Sequence, residues 1–450
     1  MKKVITYGTF DLLHHGHINL LKRAKEMGDY LIAGVTTENF DVARGKLLVQ
    51  QPLNERIEAL KNSGYVDEVI LEEYEGQKID DIKKHDVDLF VIGSDWVGKF
   101  DYLNEYCRVI YLDRTEGVSS TELRMNKGAL KIGIAGFSAS ISKFIKESKY
   151  ISGVEIDSLY VEEDCYSSVE LKLKLLPLDI YTDYGKFLEN CDAVYITTSP
   201  ASRPQYVEEA LLKGKHVLCE TPISMSGCTT RKLTELAEER GLILYEALKT
   251  AYSLAFNRML LLLKGGIIGK TISLEVTCTS LEIKETWSDS FLKGGGSLTA
   301  WGSYVLFAAF SIFGYCYDDI QINTLKNVPD KLDIFNKINI SYPSGTATLK
   351  VGTGVKSEGE MIISGTNGYI FVPAPWWKMD YFEVRREDSR ENRRYFYSFE
   401  GEGIRHELAE FLKATRGDPS EKSISGEMSM QISKIIENYR DCKVEVKEII

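Results

Sequence analysis

Three of the six histidines in this chain of 450 residues fall between positions 14 and 17, in Gly8-Thr-Phe-Asp-Leu-Leu-His14-His15-Gly16-His17. An apolar run, Lys3–Tyr7, precedes them, and a helical pattern starts at about His17. The first amides of a helix have no partner inside it and attract anions. Gly16 lets backbone come close to a ligand. His14 and His17 add two imidazole donors beside those amides, which suits an oxyanion that gains charge during reaction. A helix capped by chance histidines is the plainer alternative, and three in four positions is a poor accident. A second donor cluster, Arg114-Thr115-Glu116-Gly-Val-Ser119-Ser120-Thr121-Glu122, follows the apolar run Arg108–Leu112. Ser119 and Glu122 have capping-box spacing, so a helix is expected to start there, with Arg114 and the hydroxyls as a phosphate cradle. The plainer alternative here is an ordinary helix cap. Two such cradles at the carboxyl ends of parallel strands fit one nucleoside triphosphate lying across a crevice.

The elements that must hold these residues alternate. Strands are expected at Lys3–Tyr7, Tyr30–Thr36, Asp88–Ile92 and Arg108–Leu112, with helices between them. One helix carries Ile18, Leu21 and Ala24 on one face, and Leu53–Ser63 is another. That alternation implies an α/β fold with a parallel sheet covered on both faces. After a polar join, the pattern restarts at Leu130–Ala135 and recurs at Val154–Leu159, Ala193–Thr197, His216–Cys219 and Ile243–Glu246. From about residue 265 the character changes. Lys270–Thr279, Ile338–Tyr342 and Thr346–Val351 read as strands, and only Pro343-Ser-Gly345 separates the last two, which suggests an antiparallel sheet. Helical periodicity returns from Ile404 to Tyr439. The expected division is residues 1–128, 129–250 and 251–450.

Composition narrows the classes. Lys plus Arg is 55 and Asp plus Glu is 66, a net charge of −11, and no basic run is present, so a general nucleic-acid binder is not expected. The eight cysteines form no CxxC pair and lack zinc-site spacing, so no protein metal site is expected; buried thiols in a reducing compartment are the better reading. The start is a strand rather than a signal peptide. Residues 294–317 carry no charge, but their glycines, serines and threonine favour a buried helix over a membrane span. A soluble cytoplasmic protein with no membrane insertion follows.

GTFDLLHHGH, GSDWVGKFD (Gly93–Asp101) and RTEGVSST, in this order and spacing, resemble the glycerol-3-phosphate branch of the cytidylyltransferases over residues 1 to about 126. The HxGH motif alone would also allow adenylyltransferases; RTEGxSST is what favours CTP. The resemblance implies a Rossmann-like nucleotidyltransferase in which His14, His17 and Arg114 are catalytic. It places Thr9, Phe10, Asp11 and Gly16 in the phosphate loop, with Thr115, Ser119, Ser120 and Thr121 on the triphosphate. Asp95 would help hold the nucleoside and Trp96 would line its pocket. Lys46 and Arg56 are either hands for the acceptor phosphate or solvated surface charges. Gly64 stands where the family usually has an arginine before YVDEV, a departure at the acceptor end. The implied reaction transfers CMP from CTP to a small polyol phosphate, glycerol 3-phosphate first, with Mg2+ travelling on CTP. Such products feed teichoic acids, capsules or related polymers.

Residues 130 to about 445 resemble the Gfo/Idh/MocA oxidoreductases, in AVYITTSPASRPQYVEEALLKGKHVLCETP (Ala193–Pro222), LAEERGLILYEALK (Leu236–Lys249) and KGGGSLTAWGSY (Lys293–Tyr304). The implied fold is a Rossmann dinucleotide-binding half followed by an α+β half with an open, mostly antiparallel sheet. NAD(P) is the implied cofactor, with Gly133, Gly136, Ser138, Thr198, Glu220 and Pro222 as its candidate contacts. Glu162 or Glu163 would stand in for the acid that ends the second strand, where Tyr160 and Val161 fall. The glycine-rich turn is degenerate, with Ser138 and Ile141 at later small positions. The usual Glu-Lys-Pro is Glu220-Thr221-Pro222, and an expected aspartate falls at Ala300. Two readings stay open. One is a divergent reductase whose proton donor has moved to Lys249, Tyr252 or Tyr304, and which would supply the polyol phosphate of the first domain. The other is an inactive dehydrogenase-like assembly or ligand-binding module. Both families commonly form dimers, so a homo-oligomer is expected.

Overall fold

The computed structural model describes residues 1–37, 40–41, 49, 51–74, 76–113, 129–138, 140–163, 178–281, 292–327, 332–397, 401–417, 424–443 and 445–449. It separates into two compact units, 1–129 with 151–153, and 130–150 with 154–450. Lys46, Arg114, Thr115, Ser119, Ser120 and Thr121 lie outside the described residues, as does the side chain of Asp95.

The first unit is a five-stranded parallel sheet. Its strands are β1 (Lys3–Gly8), β2 (Tyr30–Thr36), β3 (Glu68–Glu72), β4 (Leu89–Gly93) and β5 (Arg108–Leu112), in spatial order β3-β2-β1-β4-β5. The chain runs outward from β1 to β2 and β3, then returns to the other side at β4. The order therefore reverses between β1 and β4, and a crevice opens beyond their carboxyl ends. Helix α1 (His15–Lys25) follows β1, and α2 (Leu53–Asn62) and α3 (Gln77–His85) complete the cover. Both faces of each central strand are apolar because both are packed. Val4, Leu31, Val35 and Val91 meet Leu21, Ala24 and Leu60 on one side. Ile5, Ile32, Phe90 and Ile92 meet Ile82 and Leu103 on the other. Each such side chain contributes about 1.5–3 kcal/mol when fully buried. β3 was not expected; its Glu-Val-Ile-Leu-Glu pattern is that of an edge strand with charged ends.

The second unit begins with another parallel sheet: β6 (Leu130–Ala135), β7 (Val154–Glu155), β8 (Ser158–Tyr160), β9 (Asp179–Tyr181), β10 (Ala193–Ile196), β11 (His216–Glu220) and β12 (Leu244–Ala247). The order is β12-β11-β10-β6-β8-β9, with β7 paired to the start of β6. The strand expected at Val154–Leu159 is thus two short strands on opposite ends of β6. The order reverses between β6 and β10. Helices α4 (Ile141–Ser148), α5 (Tyr184–Glu189), α6 (Arg203–Leu212), α7 (Gly227–Glu239) and α8 (Leu254–Lys264) accompany these strands.

A nine-stranded sheet follows, of β13 (Thr271–Ser280), β14 (Asp319–Lys326), β15 (Asp333–Tyr342), β16 (Gly345–Thr353), β17 (Met361–Gly365), β18 (Gly368–Val372), β19 (Tyr381–Arg385), β20 (Arg393–Phe396) and β21 (Glu445–Ile449). All neighbours are antiparallel except β13 with β16 and β14 with β21. β15 and β16 form the expected hairpin, closed at Tyr342 and Gly345. The uncharged stretch is helix α9 (Ser297–Phe313), largely buried, and α10 (Ile404–Thr415) and α11 (Gly426–Arg440) follow. No helix among the described residues is long and apolar enough to cross a membrane. Cys107, Cys191, Cys219 and Cys278 are buried thiols, whereas Cys228, Cys316 and Cys442 are exposed, so burial does not account for all of them.

Candidate functional site

In the first unit the loop after β1 turns sharply. Phe10 and Leu12 both adopt left-handed backbone, φ 51° and 48°, a conformation disfavoured for side chains of this size. Such strain persists only where surroundings over-determine it. Here they do. The Leu12 amide donates to Gln51 Oε1 at 2.8 Å, and the Gln51 amide donates to Asp11 Oδ1 at 3.0 Å. Thr9 Oγ1 and Thr36 Oγ1 both donate to Asp41 Oδ1, at 3.0 and 2.6 Å.

Arg56 closes the lock. Its guanidinium is fully buried and donates to the carbonyls of Thr9 (2.9 Å), Thr36 (2.9 Å) and Gln51 (3.0 Å), with Asp41 Oδ2 at 3.3 Å. Arg56 is therefore not a solvated surface charge. Its Nη1 is committed to the ends of β1 and β2, and its Nε to the Gln51 carbonyl.

This loop delivers the histidines to the start of α1, two residues earlier than expected. His14 is its N-cap, and Nδ1 accepts the Gly16 amide at 3.1 Å. A neutral imidazole that accepts at Nδ1 carries its proton on Nε2, so that face is a donor. The His14 and His17 rings are stacked, with centroids 3.9 Å apart, and Phe10 meets His17 edge-on at 5.6 Å. Both histidines are half-buried and His15 is exposed. Across the order reversal, β4 ends in the 3₁₀ turn Ser94–Trp96. Trp96 is half-buried, packs on Phe100 at 5.8 Å and lies under Lys99 Nζ at 4.8 Å. Arg23 of α1 donates to the Asp113 carbonyl at 2.7 Å, fixing the exit of β5.

In the second unit Gly136 ends the first strand at φ 98°, and a Cβ there would lie 2.8 Å from the Thr198 amide. The glycine thus lets the loops after β6 and β10 touch. Gly133 belongs inside β6, where a Cβ would strike the Phe187 ring at 2.5 Å; it serves core packing rather than the turn. Ser138 and Ser140 bond at 2.7 Å, and Ser140 reaches Tyr195 at 3.3 Å. At the end of β8, Tyr206 bonds Tyr160 and donates to Glu162 Oε1 at 2.8 Å. Arg203, missed in the sequence, is buried and donates to Thr198 O (2.9 Å), Thr221 O (2.8 Å) and Pro222 O (3.0 Å).

Glu220 accepts a short hydrogen bond from Tyr195, while Thr221, in the lysine position, donates to the buried Glu246 at 2.5 Å. Lys249 follows β12 and stands 3.6 Å from Glu402. Burial and the neighbouring Lys378 charge lower its pKa, against the pull of Glu402, Glu220 and Glu407. Burial, then Glu220, pushes the Tyr304 phenol far above its ordinary range, which makes it a poor acid. Tyr252 is buried and donates to the Glu246 carbonyl at 3.2 Å, a structural bond. Of the three donor candidates, Lys249 is the one suited to release a proton. Pro222 follows a cis peptide at Thr221.

Comparison with known proteins divides the chain at the same place. Residues 5–126 match a family model described as cytidylyltransferase-like, and residues 130–248 match the oxidoreductase family with an NAD-binding Rossmann fold. A glycerol-3-phosphate cytidylyltransferase of Bacillus spizizenii is 53% identical over 130 residues, 29% of this chain and all of that protein. One from Staphylococcus aureus is 53% identical over 124 residues, 28% of this chain and 93% of that protein. A 3-ketoreductase of Actinomadura kijaniata, solved with NADP and TDP-benzene, superposes with a TM-score of 0.64 at 16% identity, covering 72% of this chain and all of that one.

Replacing Arg56 by Met leaves three carbonyls and a carboxylate without their buried donor. We expect a cost of about 3–5 kcal/mol, seen as a lowered thermal unfolding midpoint that Arg56→Lys does not restore. An unchanged midpoint would show that the guanidinium does not hold the loop.

Proposed function

Because the chain belongs to the cytidylyltransferase-like family through residues 5–126 and carries a Gfo/Idh/MocA oxidoreductase domain after them, we propose a bifunctional enzyme that makes a CDP-polyol and reduces a polyol precursor. The first activity joins CTP to a polyol phosphate, with glycerol 3-phosphate the acceptor in the named relatives. The observation that carries it is the stacked His14 and His17 pair at the helix start, at the reversal point of a parallel sheet.

An oxygen of the acceptor phosphate attacks the α-phosphorus of CTP in line. The bond to the β-phosphate breaks, and pyrophosphate leaves. Catalysis is positioning plus charge stabilisation. In this reading His14 Nε2, His17 and the first amides of α1 bind the phosphates, with Thr9, Phe10, Asp11 and Gly16 shaping the loop. Arg114, Thr115, Ser119, Ser120 and Thr121 complete the cradle, and Asp95 and Trp96 hold the nucleoside. Arg56 positions the loop, and Lys46 is left as the acceptor contact. Magnesium enters as the counter-ion of CTP, with no protein ligand assigned. A cytoplasmic homo-oligomer supplying surface-polymer synthesis fits these activities.

In the second domain the turn at Gly136, Ser138 and Thr198 would hold the dinucleotide, and the close packing of those loops fits that use. When bound there, NAD(P)H would supply the hydride. Lys249 protonates the developing alkoxide oxygen, and Glu220 orients the site through Tyr195. A carboxylate at Glu162 favours ribose hydroxyls over a 2′-phosphate, hence NADH. The lowered pKa of Lys249 favours this redox reading over an inert module.

Pyrophosphate release by the full chain with glycerol 3-phosphate should require CTP; turnover with ATP alone would overturn the nucleotide assignment. His14→Ala or His17→Ala should each lose about 3 kcal/mol of transition-state stabilisation, roughly a hundredfold in rate. Near-normal rates in both variants would refute their role.

Reduction of dihydroxyacetone phosphate, the ketone of glycerol 3-phosphate, should consume NADH. Its rate should fall as pH rises through the Lys249 pKa, below the usual lysine value of about 10.4, because the acid form is lost. The Lys249→Met profile should be flat there. Absence of NADH and NADPH binding, followed by nicotinamide fluorescence, would sink the redox reading.

A further inference from the structure

Glu402 lies between Gly401 and Gly403, both left-handed at φ 69° and 81°, just before α10. Three ammonium groups from separate elements converge on its carboxylate. Lys143 of α4 is 3.1 Å from Oε1, and Lys378 and Lys249 are 2.5 and 3.6 Å from Oε2. Burial raises the Glu402 pKa, but the bonds from Lys378 and Lys143 and the charge of Lys249 hold it down at about 2. One ionised carboxylate thus faces three cations.

Two further acids, Glu220 and Glu407, act on Lys249. Burial and the charge of Glu220 push the buried Glu407 carboxyl well above its usual range, and the Lys249 charge pulls it back. Glu220 accepts a hydrogen bond from Tyr195, which leaves its charge in place. The cluster is also reachable. Side-chain exposure falls from 47% at Lys143 to 29% at Lys378 and 20% at Lys249, a gradient from solvent inward. Three converging lysines repel one another, and a phosphomonoester supplies the charge of about −1.5 to −2 and three acceptor oxygens that would match them.

An aromatic wall stands beside the cluster. Trp377 precedes Lys378 and lies 5.9 Å from Trp301, which lies 6.0 Å from Tyr304. Thr250 donates to the Trp377 carbonyl at 3.2 Å, tying this wall to the turn that carries Lys249. Ring faces suit the carbon chain of a small ligand, and charged groups fix its end.

We propose that Lys143, Lys249 and Lys378 form a phosphate subsite that Glu402 fills until the phosphate of a phosphorylated ketone displaces it. The ligand's identity rests on the reductase reading above, whereas its binding can be followed without turnover. The glycines flanking Glu402 give its backbone the freedom to withdraw.

The test is amine acylation of the full chain, with each lysine followed by peptide mass mapping. Dihydroxyacetone phosphate should reduce labelling of Lys143 and Lys378 several-fold and leave the exposed Lys443 unchanged; unphosphorylated dihydroxyacetone should protect neither. In Glu402→Gln, checked for an intact unfolding transition, the same protection should need on the order of ten-fold less ligand. In Lys378→Met, protection of Lys143 should weaken. Equal protection by dihydroxyacetone, or no protection in wild type, would overturn the subsite. Protection by NADH alone would give the lysines to the cofactor's phosphates and overturn the substrate assignment. Protection by the ketone phosphate with no nicotinamide binding would uphold the subsite while removing the redox reading.

Discussion

A guanidinium out of reach of water holds the working loops of each parallel sheet. Strands that stop side by side leave carbonyls at their carboxyl ends with no ladder partner, and burying them unpaired is costly. Arg56 satisfies the carbonyls of Thr9, Thr36 and Gln51. Arg203 does the same for Thr198, Thr221 and Pro222. Asp41 stands 3.3 Å from Arg56, and the charge of Arg203 counters the upward push that burial gives the Glu246 pKa. Lysine could not substitute, because a point charge does not span several fixed carbonyls in one plane.

The consequence in the first unit is a loop strained at Phe10 and Leu12 that brings His14 and His17 together over the opening of α1. In the second, the equivalent anchoring leaves room for departures. Thr221 stands where the resemblance implies a lysine and donates to Glu246, while Lys249, just after the next strand, faces Glu402.

Much of this was legible in residue order. The run of apolar strands, the histidine spacing and the Pro-Ser-Gly turn each have a local cause, and the structure has them within a residue or two. Arg56 was not legible as a buried anchor: it sits on a polar helix among glutamates, and only the fold brings Thr9, Thr36 and Gln51 around it. Arg203 was hidden likewise in a helix start. Gly133 looked like part of a ligand turn because glycine spacing cannot tell a turn from a strand packed on a phenylalanine. Glu402 had one signal, a glycine on either side ahead of a helical pattern, but its three lysine partners lie between 24 and 259 residues away in sequence.

The central claim is that His14 and His17 serve the phosphates of one nucleotide at the start of α1. A crystal structure of the full chain with CTP tests it directly. Phosphate oxygens should lie within about 3.2 Å of His14 Nε2, of His17 and of the first helix amides. A nucleotide bound elsewhere, or imidazoles turned from its phosphates, would contradict it.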